Sequence, residues 1–352
     1  MDYVKCDILV IGGGPAGACA AMEAQKRGAK AIIVEKDKKV GSLLRCAEYI
    51  PRALLGEIKL NSAIFIQDTD EMKTYIGDKV YSFRFPGIII DRKELDRYLV
   101  SQAEREGVKL YLGLKAGLIE DGKLICGDPK SGYALKIEAD VIIGSDGPCS
   151  FLSRVMGMEN REFLYAIQCR IRLSRPISHT EVYLSERFFG GYGWLFPKAV
   201  EANVGLGIRK GKGKGLKELF EKFIFELQDM GKVIGIPYMW RGGLIPCRPK
   251  HEFVKDNMLL CGDAASFTHP ISGSGIAHAI ISGRMAGRYA ASAIGDGKIS
   301  ELKRYEEEWN DIYGDMLSFA WKKRQYMESE WHRFPEIIRS CWIGFREYYE
   351  DR

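Results

Sequence analysis

With 352 residues the chain is long enough for about two domains and a sizeable core, and its net charge of +5 is too mild at this size to point to nucleic acid. Nine cysteines without a C-x-x-C pair exclude a zinc knuckle and a dithiol redox site, leaving no metal to expect, and an odd number without a signal peptide reads as reduced thiols in the cytoplasm. No apolar run reaches the roughly 18 residues needed to span a bilayer, so any membrane contact is expected to be peripheral.

Residues 6–11 form an aliphatic run that ends at Gly12-Gly13-Gly14-Pro15-Ala16-Gly17, which reads as a buried parallel strand entering a tight turn. Residues 15–27 are Ala-rich helix formers closed by Gly28, and residues 31–34 are a second strand followed by Glu35. Gly12, Gly14 and Gly17 allow the backbone to approach a pyrophosphate at the helix N-terminus, and Glu35 is spaced to accept ribose hydroxyls.

A loop follows at 41–57, then strand-like pieces at 63–66, 79–83 and 88–90. Residues 91–106 read as an amphipathic helix with Asp91 as N-cap and Leu95, Leu99 and Ala103 on one face. Short strands of a meander at 108–112, 117–120, 124–126 and 133–137 lead to a buried strand at 139–143 and to Gly144-Ser145-Asp146-Gly147. From about 163 to 246 the pattern changes to antiparallel strands (166–173, 181–183, 193–197, 202–208), interrupted by a helix at 216–230. A buried strand at 257–261 then delivers Cys261-Gly262-Asp263-Ala264-Ala265, followed by His269-Pro270, Gly273-Ser274-Gly275 and a small-residue helix at 276–293. Residues 300–352 are mostly helical and aromatic.

Three glycine-rich motifs in this order and at this separation predict a chain wrapped around one flavin adenine dinucleotide, FAD. Asp263, just past a strand end, is placed to hydrogen-bond the ribityl chain, and the amides at the helix start by Gly273–Ile276 can face the isoalloxazine edge. The expected fold class is α/β, α+β overall. It comprises a discontinuous Rossmann-type FAD-binding domain at 1–160 and 250–298, an antiparallel-sheet substrate domain at 161–249, and a helical C-terminal region at 299–352.

Three further segments carry a family resemblance: Tyr192-Gly193-Trp194-Leu195-Phe196-Pro197-Lys198 with Val204-Gly205-Leu206-Gly207 after it, Arg45-Cys46-Ala47-Glu48, and His269-Pro270-Ile271-Ser272-Gly273-Ser274-Gly275-Ile276. From Asp7 to about Ala293 the chain resembles the geranylgeranyl reductases, including the archaeal digeranylgeranylglycerophospholipid reductases, within the flavoproteins similar to p-hydroxybenzoate hydroxylase. The resemblance implies FAD contacts from Ala16, Glu35, Arg45, Cys46, Ala47, Tyr49, Arg92, Ala116, Asp263, Gly275 and Ile276. Tyr49 stands where the family usually has glycine, Ser145 and Ser274 replace common alanines, and the chain is shorter than typical members.

The activity so implied is FAD-dependent saturation of carbon–carbon double bonds in geranylgeranyl or other polyprenyl groups of membrane lipids. No second nucleotide-binding unit is seen, so electrons must come from an external donor, NAD(P)H or a small redox protein such as ferredoxin. Cys46 is either a proton donor or gate beside the flavin, or a small buried hydrophobe. Tyr192, Trp194 and Phe196 alternate on one strand and share a face, which walls a substrate channel or is plain inter-domain core. The basic stretch 209–215 is a solvated turn or a clamp for anionic headgroups. Apolar residues from Leu302 to Met327 are expected to pack against the substrate domain, and the aromatic tail to cap a lipid entrance or mediate self-association. The competing readings are a flavin monooxygenase of the same fold, an electron-transfer flavoprotein, and a flavin-dependent isomerase or cyclase.

Overall fold

A computed structural model describes residues 2–42, 46–52, 56, 61–120, 123–128, 130–209, 211 and 215–350. The chain builds two sheets with helices packed on and between them.

The core of the first sheet is five parallel strands in the order Met258–Leu260, Ala134–Gly144, Asp2–Ile11, Ala31–Glu35 and Lys109–Leu112. Ile8, Val10, Ile32, Ile33, Val141 and Ile143 are buried in it, as a parallel sheet covered on both faces demands. An antiparallel meander, Lys115–Glu120 and Lys123–Gly127, attaches to the N-terminal half of Ala134–Gly144. The helices Pro15–Lys26 and Ile276–Gly295 cross in backbone contact: a Cβ on Gly283 would lie 2.2 Å from the Ala16 carbonyl oxygen, and one on Gly287 2.1 Å from that of Ala20. The small residues of the second helix therefore serve close packing.

The second sheet has eight strands, in the order Val233–Pro246, Phe163–Leu173, Glu201–Arg209, Tyr192–Lys198, His179–Leu184, Phe65–Ile76, Lys79–Ile90 and Tyr49–Pro51. All neighbours are antiparallel except His179–Leu184 with Phe65–Ile76. The helix Leu216–Asp229 covers one face with Phe220, Phe223, Ile224 and Leu227. A division at 161 therefore does not follow the sheets, because residues 49–51 and 65–90 also belong to this one. The long hairpin is masked in the sequence by charged residues such as Asp68, Asp70, Glu71 and Lys73, which break the alternation expected of a half-buried strand.

The helix Arg92–Arg105 is capped as the sequence predicts: Asp91 Oδ1 accepts from the amides of Lys93 and Glu94 at 3.0 and 3.1 Å. In the C-terminal region the expected packing is corrected. Leu302, Tyr305, Trp309 and Leu317 enter the core of the first sheet, where Trp309 stacks on Phe267 at 3.9 Å. From Phe319 onward, with Ala320, Met327, Trp331, Trp342 and Phe345, this region packs on the second sheet. Among the described residues no helix is long and apolar enough to cross a membrane.

Candidate functional site

The first strand enters its turn at Gly12, whose φ of +107° and the 2.5 Å that would separate its Cβ from the Ser145 carbonyl oxygen admit no side chain. A Cβ on Gly17 would come within 1.9 Å of the Gly12 carbonyl oxygen. Ser145 Oγ, within hydrogen-bond distance of the Ile11 and Gly12 carbonyl oxygens at 2.8 and 3.0 Å, ties the first and second glycine motifs together. The Glu35 carboxylate is fixed at its strand end by the amides of Gly13 and Asp37, at 2.7 and 2.9 Å.

Two helices begin at one cavity without a side-chain cap, Pro15–Lys26 after Gly14 and Ile276–Gly295 after Gly275. Their first amides lack intrahelical partners and favour negative charge. The cavity, of about 370 Å³, lies between the two sheets. One wall is Gly14, Pro15, Ala16, Ala47, Arg92, Asp263 and Gly273–Ile276, and the facing wall is Tyr49, Phe85, Tyr192, Trp194, Phe196 and Trp342. Burial pushes the Asp263 carboxyl above the usual range, against the opposing effect of Arg92. A glycine turn with no room for a Cβ, two uncapped helix starts and one buried carboxyl on a single cavity fit a dinucleotide with a polyhydroxyl chain, as FAD is.

The aromatic wall is shaped by glycines. The Trp194 indole lies on Gly205, where a Cβ would come within 2.0 Å of the ring, and the Tyr49 ring lies on Gly87, where the separation would be 2.3 Å. Tyr192 donates from its hydroxyl to the Ser272 carbonyl at 2.5 Å and packs edge-on against Trp342 at 5.0 Å. Tyr49 fills space between Phe85 and Phe196, with ring centroids 6.1 and 5.7 Å away.

Beneath this wall sits a buried charge network. Glu48, 2% exposed and at a left-handed φ of 66°, receives the Arg92 amide at 3.0 Å on one oxygen. On the other it receives Lys198 Nζ at 2.7 Å, Asn203 Nδ2 at 2.8 Å and Arg170 Nη2 at 3.0 Å. Four donors offset the cost of burying the carboxylate and of the strained backbone. Gln168 and Asn203 also donate to the carbonyls of Cys46 and Ala47, at 2.9 and 3.2 Å, so the loop is held from the second sheet. Cys46 Sγ accepts from the Glu48 amide at 3.3 Å, and burial pushes its thiol up despite the nearby Arg92 guanidinium.

A family model for the geranylgeranyl reductase catalytic domain matches residues 167–238, and one for an FAD binding domain matches residues 7–49. The chain is 30% identical to digeranylgeranylglycerophospholipid reductase 2 of Methanosphaera stadtmanae, over 93% of this chain and 88% of that one. It is 32% identical to the digeranylgeranylglycerophospholipid reductase of Methanosphaerula palustris, over 91% and 86%. The chain belongs to the geranylgeranyl reductase family.

This reductase-family chain also superimposes on a geranylgeranyl bacteriochlorophyll reductase-like protein from Thermoplasma acidophilum with a TM-score of 0.84 at 23% identity, covering 99% of this chain and 98% of that one. It shares its fold with the myxobacterial chondrochloren halogenase as well, with a TM-score of 0.72 at 18% identity over 90% and 81% of the two chains. At these identities the structures establish the fold alone.

Of the residues expected at the site, the structure brings Gly14, Ala16, Cys46, Ala47, Tyr49, Arg92, Asp263, Gly273, Gly275 and Ile276 to one cavity with Tyr192, Trp194 and Phe196. Gly12 and Gly17 frame the turn behind it, and Glu35 closes the adjacent strand end. The Ala116 side chain is in the core under the meander and does not line the cavity. Arg45, and Lys210, Lys212 and Lys214 of the basic stretch, lie outside the described residues. Sequence reasoning missed the hub at Glu48 and the roles of Lys198, Asn203 and Arg170. The available signal was Lys198, a lone charge at the end of an otherwise uncharged aromatic motif, and the carboxylate of Glu48 in the Arg-Cys-Ala-Glu motif, residue types that are buried only when paired.

Proposed function

We propose that this geranylgeranyl reductase family member saturates carbon–carbon double bonds of geranylgeranyl or related polyprenyl chains in isoprenoid membrane lipids. The observation that carries this reading is the cavity itself, with a dinucleotide cradle on one wall and an apolar aromatic face on the other. The names of the digeranylgeranylglycerophospholipid reductases it matches supply the substrate class.

FAD, when bound and reduced by an external donor (a nicotinamide or a small redox protein), supplies the hydride that an unpolarised alkene requires. The helix starts at Pro15 and Ile276 orient the cofactor's anionic and electron-rich parts, and Asp263 and Arg92 hold its polar chain. Tyr192, Trp194 and Phe196 hold the polyprenyl chain and exclude water. Cys46 keeps its proton at neutral pH, because burial raises its thiol, and lines the same cavity. It donates that proton to the alkene carbon that does not receive the hydride.

The test is mass spectrometry of geranylgeranyl lipids incubated without oxygen with the dithionite-reduced holoprotein. Mass gained in steps of two hydrogens supports the reading. Unchanged lipid, beside a flavin that reduces and reoxidises normally, overturns it.

A further inference from the structure

The strand Val233–Pro246 has two unlike halves. Its inner half, Arg241 to Ile245, lines the large cavity. Its outer half carries Ile234, Ile236, Tyr238 and Met239 into solvent, with Ile236 88% exposed. Among the described residues this strand pairs only with Phe163–Leu173, so its other edge is open. The neighbouring helix extends the patch. Gln228 Nε2 donates to the Gly235 carbonyl at 2.9 Å, and one turn away Phe225 is 65% exposed, with Met230 exposed at the helix end. Two register breaks opposite Gln168–Arg172 and Pro237 blunt this edge for strand pairing, yet the apolar side chains it presents still form a patch that soluble proteins avoid unless something covers it.

The charge around the patch identifies what covers it. Met239 shares a second pocket with Lys39, Lys93 and Arg241, and with Arg97 and Arg170, which are paired to Glu94 and Glu48. The acid in that pocket, Glu48, is already held by Lys198, Asn203 and Arg170. Arg172, exposed, stands opposite Ile234 in the strand register. Glu201 and Glu226 nearby are engaged by Tyr238 and Arg187, while Asp229 at the helix end opposes the cations. A second copy docking edge to edge would need a regular ladder, which Pro237 and the two register breaks deny it. A surface of lipid phosphates over hydrocarbon matches both the cations and the apolar strip.

We propose that the outer half of Val233–Pro246, with Phe225 and Met230 beside it, is the surface by which this protein docks on an anionic lipid bilayer. Resting on the lipid-substrate reading above, this gives the strand a second use: its outer half meets the membrane and its inner half walls the cavity, so one continuous element leads a polyprenyl chain from bilayer to cofactor site.

The experiment is co-sedimentation of the FAD-loaded full chain with phosphatidylglycerol-rich and with phosphatidylcholine vesicles, for the wild type, Ile236→Asp and Phe225→Asp. The wild type is expected to bind the anionic vesicles preferentially and to be released by salt. Each variant should bind roughly ten- to a hundredfold more weakly, the scale of losing one buried apolar side chain, with unchanged flavin content. Both side chains are largely exposed, so folding is not at stake. Absent wild-type binding, or binding that neither variant alters, overturns the proposal. A wild-type dimer in sedimentation velocity that Ile236→Asp dissociates, without vesicle binding, overturns it in favour of a second copy. Turnover of detergent-dispersed geranylgeranyl lipid, measured in parallel, reports separately on the substrate reading: its absence beside intact vesicle binding removes the substrate and leaves the docking surface.

Discussion

Lys198 Nζ stands 2.7 Å from Glu48 Oε2, and this buried contact joins the end of the aromatic signature strand to the loop that carries Cys46. Removing either partner weakens a buried network without emptying it: Glu48 keeps Arg170 at 3.0 Å, and Lys198 keeps Asp91 at 3.4 Å. Lys198→Met and Glu48→Gln should each lower stability by about 2–4 kcal/mol. The double variant should lose less than the sum, with a coupling of roughly 1–3 kcal/mol in a denaturant cycle. Strict additivity would mean that the pair contributes nothing as a pair.

Gly205 sets the position of Trp194. Gly205→Ala places a methyl where the indole now lies, so the ring must shift into the cavity. The expected result is a kcat/KM for polyprenyl substrate lower by roughly tenfold or more, since small displacements at a reacting centre are costly. FAD content should remain normal. Loss of flavin instead would place the effect in the fold.

Gly283 lets the helices Pro15–Lys26 and Ile276–Gly295 touch. Gly283→Ala should cost about 1–3 kcal/mol through overpacking and weaken FAD retention, because the cradle's two helix starts would move apart. Thermal melts with and without added FAD measure both effects.

Cys46→Ala tests the proton donor. Turnover should fall while flavin occupancy stays full, and Cys46→Ser should recover part of the rate. Unchanged turnover in the alanine variant reduces Cys46 to a packing residue of the loop.

His269 sets a pH dependence of stability. Burial, with His278 and Arg324 adding to it, pushes its imidazole from the ordinary 6.5 down to about 3. Its Nδ1 accepts from the amides of Ile271 and Ser272 at 3.3 and 3.2 Å. Above the unfolded value neither state is charged there and the contribution is nil. As pH falls from 6.5 towards 3 only the unfolded chain takes up the proton, so stability is lost at about 1.4 kcal/mol per unit. Denaturant midpoints at pH 7 and pH 5 should show the loss, and His269→Asn should reduce it; His278, also lowered by burial, sustains a remainder.

The dinucleotide cradle was legible because its constraints are local. Gly12 and Gly17 have no room for a Cβ, and Ile8 to Ile11, the end of the strand that leads into them, is aliphatic and buried. The signature Tyr192, Trp194 and Phe196 share a face, as period-two geometry requires, and meet at one cavity. What escaped the sequence was non-local. The hairpin from Phe65 to Ile90 joins the second sheet through a parallel pairing with His179–Leu184, more than a hundred residues away, which no periodicity announces. Glu48 meets Arg170, Lys198 and Asn203 only after the second sheet is assembled from strands more than a hundred residues apart in the chain. Trp342 reaches the cavity from a tail whose aromatic spacing admitted several destinations.

The cradle also has an order of assembly written into it. Strand Met258–Leu260 completes the parallel sheet beside Ala134–Gly144, and the second uncapped helix begins only at Ile276. A ribosome must therefore translate past Ile276 before the nascent polypeptide can grip its cofactor. Until then the first glycine turn emerges with half a binding site, and chains truncated before Ile276 are destined to remain colourless.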